Sequence, residues 1–131
     1  MIGRLRAVPA VAVALMALAA QGARAANDAD PGDCRPDGNQ MQMNACAVRD
    51  FRASDSKLNI RYRVVMESLS ADRRMALRQE QREWLRLRDP RCKTEAKGSE
   101  GASIWPLEFY GCLDKLTTER IKAINGWEGR Q

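Results

Sequence analysis

The sequence predicts an all-α fold, a three-helix antiparallel bundle tied by two disulfides, and three observations predict it. Apolar residues recur at spacings of three, four or seven; Ser70 and a later polar tract divide that pattern into three segments; and four cysteines stand in a chain of 131 residues. No strand-like alternation, internal repeat or low-complexity tract competes. A content of 44% hydrophobic and 30% charged residues suits one small globular domain.

The first 25 residues are set apart from that domain. Arg4 and Arg6 precede a nearly uninterrupted apolar run over residues 7–20, and Ala23, Arg24 and Ala25 follow as a small-x-small cleavage pattern, so residues 1–25 read as a secretory signal peptide. The apolar run is short for a bilayer span. Cleavage near Ala25 removes three arginines and no acid, lowering the formal net charge from +5 to +2. The basicity therefore belongs mostly to the export signal, and no nucleic-acid partner is inferred from it. Cys34 does not directly follow the apolar run, which argues against a lipid anchor and for a soluble periplasmic or secreted product.

Residues 26–38 hold Asp28, Asp30, Pro31, Gly32, Asp33, Pro36, Asp37 and Gly38, a composition that resists regular structure and reads as a flexible tether. The helical domain is placed at residues 39–127. Asn39 followed three residues later by Gln42 resembles a capping box, so the first helix should start there. Met43, Ala47, Phe51, Leu58, Tyr62, Val65 and Leu69 then form one buried stripe, which places helix 1 over roughly residues 40–69. Ser70 offers a cap for helix 2, with Asp72 in its first turn and Leu77, Trp84 and Leu85 towards its inner side. Pro90 disfavours helical geometry at Asp89, so helix 2 should stop near Arg88. Residues 93–102 are polar, contain Gly98 and Gly101, and mark an exposed loop. Ser103 offers a further cap, Pro106 suits a first turn, and Trp105, Phe109, Leu113, Leu116, Ile124 and Trp127 suggest helix 3.

A tight turn at Ser70 folds helix 2 back along helix 1, so positions equidistant from the turn should face each other. That register brings Arg88 within a helical turn of Asp55 and sets Asn59 opposite Gln81. Arg120 interrupts the third stripe between Leu116 and Ile124. Asp55, Asn59, Gln81, Arg88 and Arg120 are therefore expected to form a polar core network, because a buried guanidinium or carboxylate is strongly penalised without partners. The competing reading is a pocket whose arginines hold an anion or orient a carboxylate.

Four cysteines in an exported domain point to two structural disulfides among Cys34, Cys46, Cys92 and Cys112. The chain has no histidine and no C-x-x-C spacing, so neither zinc nor thioredoxin-like chemistry is expected, and no metal or cofactor is inferred. The helix 1 to helix 2 register sets Cys92 opposite residues 46–48 and favours Cys46 with Cys92 and Cys34 with Cys112, all three pairings of four cysteines being open.

The ordered motifs carry a family resemblance. The run from Asn39 to Cys46 (NQMQMNAC), then Asp55, Ser56, Lys57, Leu58, Asn59 and Tyr62, then Gln81, Arg82, Glu83 and Trp84, then Arg88, Asp89 and Cys92, and finally Cys112, Thr117, Thr118, Glu119 and Arg120, resembles the exported bacterial domain family named for the lysozyme inhibitor LprI. The resemblance covers about residues 34–125. It implies a small helical, disulfide-bonded envelope protein and, from at least one member, inhibition of lysozyme. Asn39 stands where the family usually has Thr, Gly101, Ala102 and Ser103 replace a Gly-Gly-Ser or Gly-Gly-Thr, and Pro90 lies inside the R-D-x-x-C motif.

Function is therefore expected to be binding, with no enzymatic activity. Histidine-based acid–base and triad chemistry is impossible here, and no glycine-rich or nucleophile motif stands in for it. Glu67, Glu80, Glu83, Glu108 and Asp114 read as exposed helix charges more readily than as a glycosidase pair. The expected partner is a lysozyme or other muramidase, met by a loop carrying Lys93, Glu95, Lys97, Ser99, Glu100 and Ser103. Arg74, Arg78, Arg82 and Arg86 repeat every four residues along helix 2, and this ridge supports the alternative of a structural or anion-binding envelope module facing lipopolysaccharide, anionic lipid or cell-wall fragments.

Overall fold

The computed structural model describes residues 32–129, so the expected signal peptide at 1–25 and the first part of the tether lie outside the described residues. Three helices follow in order: α1, Gln40–Ser68; α2, Ala71–Glu95; and α3, Trp105–Asn125, with a 3₁₀ turn at Lys97–Ser99 between the last two. They run up, down and up, which makes α1 and α3 parallel and both antiparallel to α2. The all-α class and the three-helix, two-disulfide architecture are those read from the sequence.

The start of α1 is fixed by local chemistry. The Asn39 side chain accepts from the Gln42 backbone N–H at 3.0 Å, and the Gln42 side chain accepts from the Asn39 N–H at 2.9 Å. Two of the helix's orphan donors are thereby satisfied. Residues 33–38 fold back over this first turn, held by the Cys34–Cys46 disulfide and by a 3.4 Å bond from the Arg35 N–H to the Gln42 carbonyl. Gly38 lies so close under Gln42 that a Cβ there would collide with Oε1 of the capping side chain.

α2 starts where expected, and three later boundaries shift: the end of α2 and both ends of α3. Ser70 occupies the N-cap position of α2 in extended geometry, but its hydroxyl makes no capping bond. α2 does not stop at Arg88: Pro90 is accommodated inside it, and the helix continues to Glu95. Proline removes the bond that would reach the Arg86 carbonyl, a cost of about 3 kcal/mol in a helix interior. Two features offset it. Pro90 faces solvent, and the next turn buries Cys92 and Ala96 against Phe109, Leu113 and Leu116. Lys93 and Glu95 therefore belong to α2, and the connection shortens to residues 96–104, exposed for the most part but anchored by buried Ala96. Finally, Ile104, not Ser103, caps α3, and it does so without a side-chain bond. Trp127 lies beyond α3, in a turn that packs against the core.

Two apolar clusters fill the bundle. Leu58, Val65, Leu69, Leu77 and Ile124 form one near the turn between α1 and α2, and Cys92, Ala96, Phe109, Leu113 and Leu116 form the other beneath the loop. Trp84 packs against both. The backbones approach most closely between α1 and α3. Small buried side chains allow this, Ala47 and Ser54 on α1 and Thr117 on α3. Trp84, Gln81 and Arg88 on α2 instead hold that helix farther from α1.

This spacing corrects the expected cysteine pairing. The bonds are Cys34–Cys46, with Cα atoms 4.6 Å apart, and Cys92–Cys112, at 5.6 Å. A disulfide needs Cα atoms closer than roughly 7 Å, which the bulky side chains between α1 and α2 prevent for Cys46 and Cys92. Cys92 instead meets the first half of α3.

Peptide mapping of the oxidised protein should recover Cys92 linked to Cys112. Replacing that pair with Cys92→Ser and Cys112→Ser should lower unfolding free energy by about 3 kcal/mol in denaturant titrations, from the loop the bond closes. Gly38→Ala should cost about 1 kcal/mol, because it displaces Gln42 from the capping box.

Candidate functional site

The polar residues singled out on the inner faces do not form one closed network. Arg88 donates from Nη1 to Asp55 at 2.7 Å and from Nε to Asp89 at 2.8 Å. Its guanidinium lies 5.1 Å from the Phe51 ring centroid and 5.4 Å from that of Trp84. Arg120 donates from Nε to Gln81 at 2.8 Å and from Nη1 to Glu80 at 2.6 Å, and it approaches Trp84 at 5.8 Å. Asn59 is exposed, and Gln81 turns to Arg120 in its place. The wide spacing of α1 and α2 again explains the difference, since only a side chain as long as arginine spans that gap.

These are two arginine centres that share an indole. The side chain of Arg88 is 10% exposed and that of Arg120 is 7% exposed, so both need partners to offset the cost of burying their charge. Nη2 of Arg120 has no conventional acceptor among the described residues; the negative face of Trp84 offers partial compensation. Asp55, Asp89 and Glu80 are more open, which keeps the cost of burying these pairs moderate. With their hydrogen bonds directed at one another, Arg88 and Arg120 act as interhelix ties.

The loop pole is built differently. α2 carries Lys93 and Thr94 in its last turns, the 3₁₀ turn carries Lys97, and Glu100 follows it, while α3 begins with Trp105. Lys93, Thr94, Lys97, Glu100 and Trp105 surround a surface cavity of about 430 Å³. Glu95 and Ser99 look elsewhere. Glu95 pairs with Arg91 at 3.1 Å and lines a neighbouring depression with Glu108 and Lys115. The Ser99 hydroxyl is engaged by the Ala96 carbonyl at 3.1 Å and by the Glu108 carboxylate. Thr94 and Trp105 line this cavity without standing out in the sequence, because Trp105 fits the apolar stripe of α3 and Thr94 carries no signal of its own.

The pole is held from beneath and from the side. Cys92–Cys112 joins its two supporting helices, and Trp105 stacks on Phe109 with centroids 4.7 Å apart and planes 9° from parallel. Asn44 on α1 donates from Nδ2 to the Ser103 carbonyl at 2.8 Å, which ties the loop to a third helix. Gly101 has φ +82°, a left-handed conformation that glycine adopts without strain. Lys93, Lys97 and Glu100 are exposed, and none forms an ion pair among the described residues. With Lys93 and Lys97 beside Glu100, this preorganised surface carries a net positive charge and offers it to a contact at little cost in loop ordering.

On the exposed side of α2, Arg86 donates to Glu83 in a bidentate pair. That hydrogen bond holds the Glu83 carboxyl below its ordinary range and raises the Arg86 guanidinium. Arg74, Arg78 and Arg82 on the same helix are exposed and unpaired among the described residues.

Arg88→Ala should strand Asp55 and Asp89 and lower stability by about 2 kcal/mol, a melting-temperature drop on the order of 10 °C. Asn59→Ala should stay within about 0.5 kcal/mol of wild type. Thermal melts of the two variants side by side check this contrast.

Comparison with known proteins places these features in a family. The family model described as Lysozyme inhibitor LprI matches residues 33–124. An uncharacterized protein of Rhizobium meliloti (strain 1021) is 34% identical over 105 residues, covering 70% of this chain and 76% of its own. No solved structure gives a significant match.

Proposed function

The chain belongs to the LprI lysozyme inhibitor family, and from that premise we propose that it is an exported envelope protein that binds and inhibits a lysozyme or related peptidoglycan-cleaving enzyme. It acts without catalysis of its own. The observation that carries this reading is the loop pole: exposed Lys93 and Lys97, unpaired among the described residues, on a surface anchored by Cys92–Cys112 and by Asn44 against Ser103. Muramidases of the retaining and inverting types place two carboxyl groups in their cleft. A protruding ammonium group complements that charge and occupies space the glycan needs. Rigid anchoring lowers the ordering cost of the contact, a common property of tight enzyme inhibitors.

The target enzyme is one met outside the cytoplasm, either from a host or from a competing bacterium. Export rests on the signal-like residues 1–25 and on the disulfides, and no helix among the described residues is long and apolar enough to cross a membrane.

Purified mature protein should slow lysis of peptidoglycan by at least one lysozyme class when several are assayed. Lys93→Glu combined with Lys97→Glu should weaken inhibition by at least about 10-fold, with an unchanged melting curve, as expected for reversing charges that face carboxylates. Full lytic rates for every class with excess wild-type protein would remove the inhibitor reading. Unaltered inhibition by the double variant would move the contact away from this pole.

A further inference from the structure

The unpaired arginines of α2 share a helix face with exposed apolar side chains. At about 100° per residue, Ala71, Arg74, Met75, Arg78, Arg82 and Leu85 fall within a sector of about 100° on α2 between Ala71 and Arg88, and no other residue of that stretch does. Asp72, Glu80 and Glu83 all project outside it. Met75 is 64% exposed and Leu85 44% exposed, although both are large and apolar. Arg74, Arg78 and Arg82 are exposed and unpaired among the described residues, whereas neighbouring Arg86 is neutralised by Glu83. The pairing of Arg86 shows that a carboxylate within reach is used on this helix. The other three arginines have none among the described residues.

We propose that this face of α2 docks the protein peripherally on an anionic bilayer, its arginines meeting lipid phosphates and Met75 and Leu85 entering the headgroup boundary. Guanidinium groups match phosphate oxygens in bidentate geometry and hold their charge at any physiological pH. Exposed apolar side chains beside these cations add a hydrophobic component to the electrostatic attraction for anionic lipid. A single-stranded nucleic acid would instead call for aromatic stacking platforms, and the sector contains none. Lys93 lies eleven residues beyond Arg82, about 16 Å along the helix axis, so the three arginines and the loop pole occupy opposite ends of α2.

The test uses the mature protein and sedimentation with vesicles of phosphatidylglycerol and phosphatidylcholine, against vesicles of phosphatidylcholine alone, at about 0.1 M salt, where the Debye length is near 10 Å. Wild-type protein should sediment with the anionic vesicles and be released by high salt. R74Q/R78Q/R82Q should reduce partitioning on the order of 100-fold. The variant K57Q/K115Q/K122Q loses the same charge elsewhere and should reduce it far less. M75Q/L85Q keeps every charge and should still weaken binding. Circular dichroism melts establish that each variant is folded. The proposal is overturned by wild-type protein that does not prefer anionic vesicles, by a lysine variant that loses as much binding as the arginine variant, or by M75Q/L85Q binding like wild type. None of these outcomes depends on lysozyme inhibition.

Discussion

Trp84 with its two arginines is the constraint on which the rest of the bundle depends. The indole packs against both apolar clusters, and Arg88 and Arg120 approach it from different helices. Each arginine then reaches a partner beyond its own helix, Asp55 on α1 for Arg88, and Gln81 and Glu80 on α2 for Arg120. One aromatic side chain thus joins all three helices through polar contacts that are directional, whereas the surrounding leucines are not. Apolar burial supplies most of the driving force for folding. The arginine geometry adds register, because a slip of either helix would leave a buried guanidinium without its acceptors.

Bulk at this layer also decides how the helices are spaced. α2 stands off from α1 across Trp84, Gln81 and Arg88, while Ala47, Ser54 and Thr117 let α3 close onto α1. The loop between α2 and α3 inherits its support from that asymmetry. Its incoming helix is tied to α3 by Cys92–Cys112, and its outgoing end reaches α1 through Asn44. Close packing of α1 and α3 is what puts Asn44 within 2.8 Å of the Ser103 carbonyl. A bundle with α1 and α2 as the tight pair would leave this loop tied to one helix hairpin only.

Much of this was legible in the sequence, and the failures share one cause. Helix number, the capping box at Asn39 and the meeting of Arg88 with Asp55 follow from periodicity and from rise per residue, which are properties of single helices and of the turn at Ser70. The pairing of cysteines and the placement of Asn59 required knowing how far apart α1 and α2 stand. Counting residues from a turn gives position along an axis and says nothing of separation across it. Arginine is long enough for the distinction not to matter; asparagine and cysteine are not. Pro90 misled for a related reason. Its local preference ends a helix, but Cys92 and Ala96 bury their side chains only if the helix goes on, and tertiary packing outweighed propensity. At the loop pole, Lys93 and Lys97 were read from exposure and charge, whereas Trp105 was hidden within an apolar stripe.

The distribution of positive charge sets a condition on any partner. A basic muramidase would be repelled by Arg74, Arg78 and Arg82, which lie along the first half of α2 and are unpaired among the described residues. Those charges are more than a Debye length from Lys93 at physiological salt, since about 16 Å of helix separates it from Arg82 against a screening length of about 8 Å. An enzyme approaching the pole therefore meets two lysines and one glutamate directly and the arginine face only through screened interactions. If that face is also occupied by lipid phosphates, its charge is compensated and the residual repulsion falls further. Short-range complementarity at the pole and long-range repulsion along α2 are then compatible in one small domain, because the length of α2 keeps them apart.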